Sequence, residues 1–473
     1  MEGIAHLADE AVPLWQRLVS FLGLGVMILC AWAMSYDRRS FPWRIVLAGT
    51  GLQLVFGVFV LRTSAGLWFF SLLNDGVTQL LEFTNDGSRF LFGEYLDQRF
   101  TVALHVLPTI IFFSALMTVL YHLGVMQRIV RAFAWAMQRT LRTSGAETLS
   151  AAANVFVGQT EAPLVVKPFV ARMTQSELMA VMLGGFANIA GGVLAAYVGM
   201  LREHFPDIAG HLIASSVMSA PASLLLAKVI LPEKEEAETR DTLHMVDERP
   251  YANVIDAAAS GAADGLKLAL NVGAMLLAFI ALVALANWIV TLPALIYDRM
   301  VWSEVVAALR AADASAPAGC EAPGTAQAIL GCIAQVNESG ALTRSFEAWQ
   351  PWTLQRMAGI VFWPFAFAMG IPPEDCAAAG TLLGERLVLN EFVAYLDLAQ
   401  NVASEHPVSR RAAVILSYAL CGFANFGSIA IQIGGISALA PERRADLARL
   451  GMRAMLGGML ATFMTACVAG VLV

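Results

Sequence analysis

The chain has 473 residues, of which 58% are hydrophobic and only 14% charged, with a formal net charge of -7. That apolar excess is more than a soluble core of this size hides, so a water-soluble fold is excluded and an all-α polytopic membrane protein is expected, with the lipid bilayer as its main partner and no nucleic acid. The net charge says little, because in such a chain the placement of Lys and Arg matters more than their sum.

The first residues are acidic where a secretory signal would be basic, and no small-residue cleavage site follows, so the first apolar run is expected to be retained. Runs long enough to cross a hydrocarbon layer of about 30 Å occur near 19–35, 45–62, 102–122, 177–200, 208–231, 265–291, 410–435 and 448–472, which makes eight spans. Arg38, Arg39 and Arg44 follow the first, Arg128, Arg131, Arg139 and Arg142 follow the third, and Arg443, Arg444 and Arg449 precede the last. These loops are expected to be cytoplasmic, which leaves both termini outside. The stretches 64–98, read as a loop, and 292–350 carry more acid than base, as an exterior position requires; 233–249 is cytoplasmic by counting despite its acids, which weigh little. Cys320 and Cys332 share the 292–350 insertion and pair if that compartment is oxidising; two free thiols are the alternative.

Between the spans lies a unit that occurs twice: a Trp-bearing amphipathic segment (128–142 and 349–370), a polar hairpin (145–172 and 373–400), a broken helix, then a plain helix. Three spans separate the first broken helix's start from the second hairpin, so the second unit begins on the opposite face and the two repeats are inverted. This depends on 352–371 lying at the interface, which Trp349, Trp352, Trp363 and the interrupting Pro364 favour. Residues 145–172 hold Asn154, Gln159, Thr160, Glu161 and Lys167 with Pro163 and Pro168, a composition for a re-entrant hairpin buried in protein rather than a lipid-facing helix. Thr174-Gln175-Ser176-Glu177 reads as a capping box that opens the first broken helix. Gly184, Gly185, Gly191 and Gly192 around Asn188, and Gly422, Gly427, Gly434 and Gly435 around Asn425, are expected to let the backbone unwind, freeing carbonyls for a cation. The chain then divides into N-terminal scaffold helices (1–127), a first inverted repeat (128–231), a cytoplasmic loop and long scaffold helix (232–291), the exterior insertion (292–350) and a second inverted repeat (351–473).

A carboxylate in the hydrocarbon region costs a few kcal/mol at least, so Glu161 and Glu391 are functional candidates. A cap on each hairpin tip is the structural alternative. Gln159, Thr160, Asn425 and Ser428 add uncharged donors and acceptors, which suits a neutral, hydroxyl-rich or amide-rich substrate. Val193 and Phe423 either pack on a flat ring or are ordinary packing. His105 reads as a hydrogen-bonded structural histidine in preference to a proton relay, and Asp264 with Lys267 as a helix pair at the membrane edge. The sequence has no phosphate-binding Gly loop, metal-spaced His/Cys cluster or nucleophile elbow, so neither an enzyme nor a cofactor is expected.

At Gly158-Gln159-Thr160-Glu161-Ala162-Pro163, Leu389-Asn390-Glu391-Phe392-Val393-Ala394-Tyr395 and Gly422-Phe423-Ala424-Asn425-Phe426-Gly427-Ser428 the chain resembles the concentrative nucleoside transporter family, over nearly its whole length outside the first dozen residues and 292–350. The resemblance implies a homotrimer in the plasma membrane, the inner membrane in bacteria, each protomer with its own site on a mobile transport domain. By motif position Gln159, Thr160 and Glu161 would meet the nucleobase, with Val193 and Phe423 packing on it, and Glu391, Asn425 and Ser428 would hold the ribose. A sodium ion would lie on the side chains of Asn154 and Asn188 and the carbonyls of Val157 and Ile189. Two residues depart from the family pattern: Asn188 stands where a small hydroxyl residue is usual, which leaves proton coupling open, and Gly427 replaces a serine. The expected function is nucleoside:cation symport by alternating access, with purine or uridine-like substrates; a membrane receptor that binds nucleosides without moving them is the alternative. On this reading acids and amides from both halves, Glu161 and Glu391 among them, converge on one pocket.

Overall fold

The computed structural model describes residues 12–98, 101–240, 251–312, 314–320, 323–324, 326–339, 352–404 and 407–473. These are helical and contain no strand. Seven of the described helices are long and apolar enough to cross a membrane: Leu14–Ala33 (α1), Trp43–Arg62 (α2), Val102–His122, Gln175–Leu201, Ile208–Ile230, Val254–Pro293 and Pro441–Leu472. The expected eighth, 410–435, is two short helices.

Stretch 64–98 is not a loop. Thr63 caps a 29-residue helix, Ser64–Phe92 (α3), by accepting from the Gly66 amide at 3.0 Å. Asn74, Asp75, Gln79, Glu82 and Asp86 lower its mean hydropathy, which hid a helix with one apolar face. Val102–His122 (α4) opens with a wider π-type turn in which His105 Nε2 donates to the Leu96 carbonyl at 3.1 Å and its Nδ1 accepts from the Thr101 amide at 3.2 Å, a structural placement.

The first unit follows as Val125–Leu141 (α5), Gly145–Asn154 (α6), the broken pair Gln175–Ala187 (α7) and Gly191–Leu201 (α8), and Ile208–Ile230 (α9). Thr174 and Glu177 form the expected capping box, and Ser144 with Glu147 form a second at the start of α6. Only the first arm of this hairpin is a regular helix. The return, Ala162–Val166 and Lys167–Val170, stays in short turns because Pro163 and Pro168 supply no N–H.

The span expected at 265–291 is part of a 58-residue helix, Val254–Ala311 (α10), so the insertion begins as its continuation. The helix Ala326–Ser339 (α11) folds back on it, and Trp302, Val305, Leu309, Ile329, Ile333 and Val336 form a small separate core closed by a Cys320–Cys332 disulfide. Asp264 and Lys267 pair on the surface of α10 at 3.1 Å, as read.

The second unit repeats the order as Leu354–Ala368 (α12), Cys376–Val388 (α13), Glu391–Val402 (α14), the broken pair Arg410–Ala419 (α15) and Phe426–Ser437 (α16), and Arg444–Leu472 (α17). Trp349, and the part of the acidic loop from Asp241 to Arg249, lie outside the described residues. At 15 residues, about 22 Å, α12 is too short to span.

Helices α9 and α17 form the centre, packed on each other; α17 also lies against α1, α7, α15 and α16. Small residues permit this: a Cβ on Gly458 would collide with Phe186, and one on Gly457 with Leu183. Arg411 ties the unit's ends together, donating to the Gly370 carbonyl at 2.9 Å and the Gly470 carbonyl at 2.7 Å. On the surface Lys234 Nζ meets Asp37 at 2.7 Å, a hydrogen bond that holds the Asp37 carboxyl well below the usual carboxylate range.

Gly370 ends α12 at φ +84°, and a Cβ there would run into Ser20 Oγ. Left-handed backbone costs an L-residue about 1–2 kcal/mol before any clash. Gly370→Ala is therefore expected to lower the melting temperature of the purified protein by several degrees; an unchanged melting curve would remove this glycine from the fold's constraints.

Candidate functional site

Hairpin 2 turns at Leu389, and Asn390 starts α14 by accepting from the Val393 amide at 3.0 Å. Glu391 is thereby fixed in the first turn, where the helix dipole favours a negative charge. It is 5% exposed. Its Oε1 accepts from the Tyr197 hydroxyl of α8 at 3.1 Å, and its Oε2 from Asn425 Nδ2 at 2.9 Å.

Asn425 performs the same capping task for α16, its Oδ1 accepting from the Ser428 amide at 2.9 Å. Because the amide oxygen faces the helix, the NH2 must face Glu391. Ser428 Oγ accepts from Gln159 Nε2 at 3.3 Å, and Gln159 Oε1 accepts from Gln432 Nε2 at 3.0 Å. Gln432 also donates to the Met182 carbonyl of α7 at 3.0 Å. A continuous chain of polar contacts, Tyr197–Glu391–Asn425–Ser428–Gln159–Gln432, thus joins both hairpins and both broken helices inside an apolar bundle.

Arg386, at the end of α13, stands behind this chain, buried to 1% exposure. It donates to the Gly422 carbonyl at 3.3 Å, to the Ala419 carbonyl and to Thr462 Oγ1 at 2.7 Å, so it satisfies carbonyls released where α15 ends. Tyr395 stacks on Tyr197 with ring centroids 4.2 Å apart and donates to the Ser417 carbonyl at 2.6 Å.

The two breaks also touch. The Phe423 amide donates to the Asn188 carbonyl at 3.3 Å, and a Cβ on Gly422 would lie 2.7 Å from the Phe186 oxygen. Phe423 is half-buried in the link before α16, while Val193 is buried in the first turn of α8. Thr160 is half-buried against Gly435, which has no side chain to displace it. Glu161 is exposed, with its carboxylate over Gly158, and no hydrogen bond links it to the chain that holds Glu391.

Around the first break, Asn154 Nδ2 donates to the Ser150 carbonyl at 3.1 Å and Asn188 Nδ2 to the Gly184 carbonyl at 3.1 Å, while Asn188 Oδ1 accepts from Ser219 Oγ at 2.5 Å. Asn154 Oδ1 is buried without a protein partner. Among the described residues neither the Val157 nor the Ile189 carbonyl accepts a backbone hydrogen bond.

Sequence reasoning missed Tyr197, Arg386 and Gln432. A lone Arg inside an apolar helix and a lone Gln in Ile429-Ala430-Ile431-Gln432-Ile433 carried a signal, since buried polar groups need partners. Tyr197 carried none.

A polar chain held between two interrupted helices in a bundle of helices long enough to cross a membrane is the architecture of a carrier. The family profile described as Na+ dependent nucleoside transporter C-terminus matches residues 211–309 and 324–470, its N-terminal counterpart 22–95, and one described as nucleoside recognition 103–203. The chain belongs to the Na+ dependent nucleoside transporter family. It is 39% identical over 463 residues to an uncharacterized transporter of Haemophilus influenzae, covering 96% of this chain and 98% of that one. It is 38% identical over 492 residues to sodium/nucleoside cotransporter 1 of Mus musculus, covering 99% of this chain and 67% of the mouse protein. Among solved structures, CNTnw in an inward-facing substrate-bound state superposes with a TM-score of 0.80 at 38% identity, covering 97% of this chain and 98% of CNTnw. A CNTnw variant in an outward-facing state gives 0.78 at 38% identity, over 96% and 97% of the two chains.

Tyr197→Phe removes one donor from the buried Glu391 carboxylate, a loss of about 1.5–3 kcal/mol where the acceptor is charged. The expected outcome is about tenfold lower uptake with normal amounts of protein in the membrane; wild-type uptake would separate Tyr197 from the site.

Proposed function

We propose that the chain imports nucleosides by secondary active symport, with a cation gradient as the driving force and alternating access as the mechanism. The polar chain from Tyr197 to Gln432 carries this reading, because it places one buried carboxylate among neutral amides and hydroxyls, a set that matches ribose hydroxyls and a base edge and not a charged solute. Relatives named sodium/nucleoside cotransporters, and CNTnw structures in inward- and outward-facing states, support it.

In this reading Glu391, Asn425 and Ser428 hold the ribose, whose hydroxyls donate to the carboxylate in charge-assisted hydrogen bonds. Gln159, Thr160 and Glu161 line the base end, with Val193 and Phe423 packing on the ring. Sodium is the coupling ion, bound by Asn154 Oδ1, Asn188 Oδ1 and the carbonyls of Val157 and Ile189. Asn188 offers an amide oxygen already held by Ser219, so its larger side chain is compatible with an oxygen site.

The family supports a homotrimer, with the hairpins and broken helices moving against the outer helices. The recurrence of one element order in α5–α9 and α12–α17 supports two repeats of opposite orientation with re-entrant hairpins. The Arg-rich loops support a cytoplasmic face after α1 and before α17, with both termini outside, and the Cys320–Cys332 disulfide fits an exterior position for the end of α10.

Glu391→Gln is expected to reduce uridine uptake at least tenfold, the scale of a charge-assisted bond of about 1.5–3 kcal/mol, with insertion intact; full uptake in a well-expressed variant would overturn the site. Asn154→Ala is expected to raise the sodium concentration needed for half-maximal uptake. Uptake that survives in sodium-free buffer and collapses with a protonophore would assign coupling to protons instead. Counterflow of labelled uridine in proteoliposomes distinguishes a carrier from a nucleoside receptor, which gives none.

A further inference from the structure

Gln432 lies wholly buried on α16, one turn beyond Ser428, and the reading above gives it no contact with substrate or ion. Its amide has two neighbours at 3.0 Å: the Met182 carbonyl and Gln159 Oε1. A backbone carbonyl accepts and never donates, so the group of Gln432 that faces Met182 must be the NH2. That NH2 also faces Gln159, so the Gln159 atom opposite it must be the oxygen. Turning Gln159 over would set two NH2 groups against each other; turning Gln432 over would set two oxygens against each other.

One main-chain oxygen therefore fixes two amides in series. Its consequence reaches the base end of the site, where Gln159 presents N–H and not C=O toward Ser428. Ser428 Oγ accepts from that N–H, which leaves its own hydrogen to donate. The close approach depends on Gly185: a Cβ there would lie 2.6 Å from Gln432 Nε2 and 3.0 Å from Gln159 Cβ.

We propose that Gln432 is a positioning residue that locks the Gln159 amide as a donor and so selects nucleosides whose base presents an exocyclic oxygen where its competitor has an amine, uridine over cytidine (at C4) and inosine over adenosine (at C6). The inference rests on the proposed nucleoside site, with Gln159 at its base end. Each pair of substrates differs there by an exocyclic group, an accepting oxygen or a donating amine, and by the adjacent ring nitrogen, which carries a hydrogen beside the oxygen and none beside the amine; the sugar is unchanged. A hydrogen bond made to the oxygen becomes a donor facing a donor with the amine, and a buried polar group left unmatched discriminates strongly.

The test is competition between uridine and cytidine in cells that express the full chain, with uptake efficiency measured for each. Wild type is expected to favour uridine by about tenfold, the scale of one matched against one mismatched hydrogen bond. In Gln432→Glu the buried acid is held protonated; the hydroxyl oxygen that replaces Nε2 has one hydrogen, which it donates to the Met182 carbonyl, so it can only accept from Gln159, and Gln159 turns over. The ratio is then expected to fall to unity or reverse. Gln432→Met, which offers no donor, and Gly185→Ala, which displaces the pair, should both narrow the ratio without reversing it. Equal loss of both substrates with an unchanged ratio would make Gln432 a packing residue and overturn the proposal, as would a wild-type preference for cytidine. These outcomes are read alongside Glu391→Gln: if that variant takes up uridine normally the site itself is misplaced, whereas a responsive Glu391 with a ratio insensitive to Gln432 refutes only the positioning role.

Discussion

A carboxyl group buried away from water must be met by hydrogen-bond partners, and Glu391 imposes that requirement on the whole centre of the molecule. Tyr197 comes from α8 and Asn425 from the start of α16, so two elements more than 190 and about 30 residues away in sequence are drawn to one hairpin tip. Asn425 can turn its NH2 toward the acid only because its oxygen caps α16, and α16 can begin there only because the chain is interrupted after Ala419. Arg386 holds that interruption open by bonding its free carbonyls. Helix break, helix cap and buried charge are one arrangement.

Much of this was legible before any coordinates. The two breaks at Asn188 and Asn425, the capping box at Thr174 and the polar hairpins all announce themselves as polar residues where apolar ones belong, which is the clearest signal a membrane sequence offers. What was not legible has a common cause. Helix α3 is amphipathic, so an apolar-run criterion passed over it, and α10 runs past its apolar portion into a soluble helix whose end no hydropathy change marks. The 410–435 run is apolar enough on average to read as one span, yet its backbone divides after Ala419, where tertiary contacts to Arg386 and Asn188 hold the chain. Tyr197 and Gln432 matter through partners far away in the chain, and a pattern read along the chain contains no such information. Glu161 and Glu391 look equivalent in sequence, but only Glu391 is enclosed by donors.

The bundle has two packing environments. Helices α7, α9 and α17 are almost wholly buried, with serine, threonine and glycine where they cross. Helices α1, α2 and α10 turn large apolar side chains outward, among them Leu18, Leu22, Leu47, Val55, Leu270 and Leu277. In water that surface would be an aggregation hazard; in hydrocarbon it costs nothing, and the driving force for association shifts to close contact and to polar pairing.

In the proposed site the side chains bond one another, which has a consequence for turnover. An incoming ligand does not find bare donors and acceptors; each hydrogen bond it forms displaces one already made within the protein, so the net gain is the small difference between two nearly equal terms. Recognition then comes from geometry, since only a solute with groups in the right places completes the swap, while the shallow well lets the same solute leave on the far side. A self-satisfied resting pocket keeps selectivity apart from tenacity, which suits a protein whose task ends with letting go.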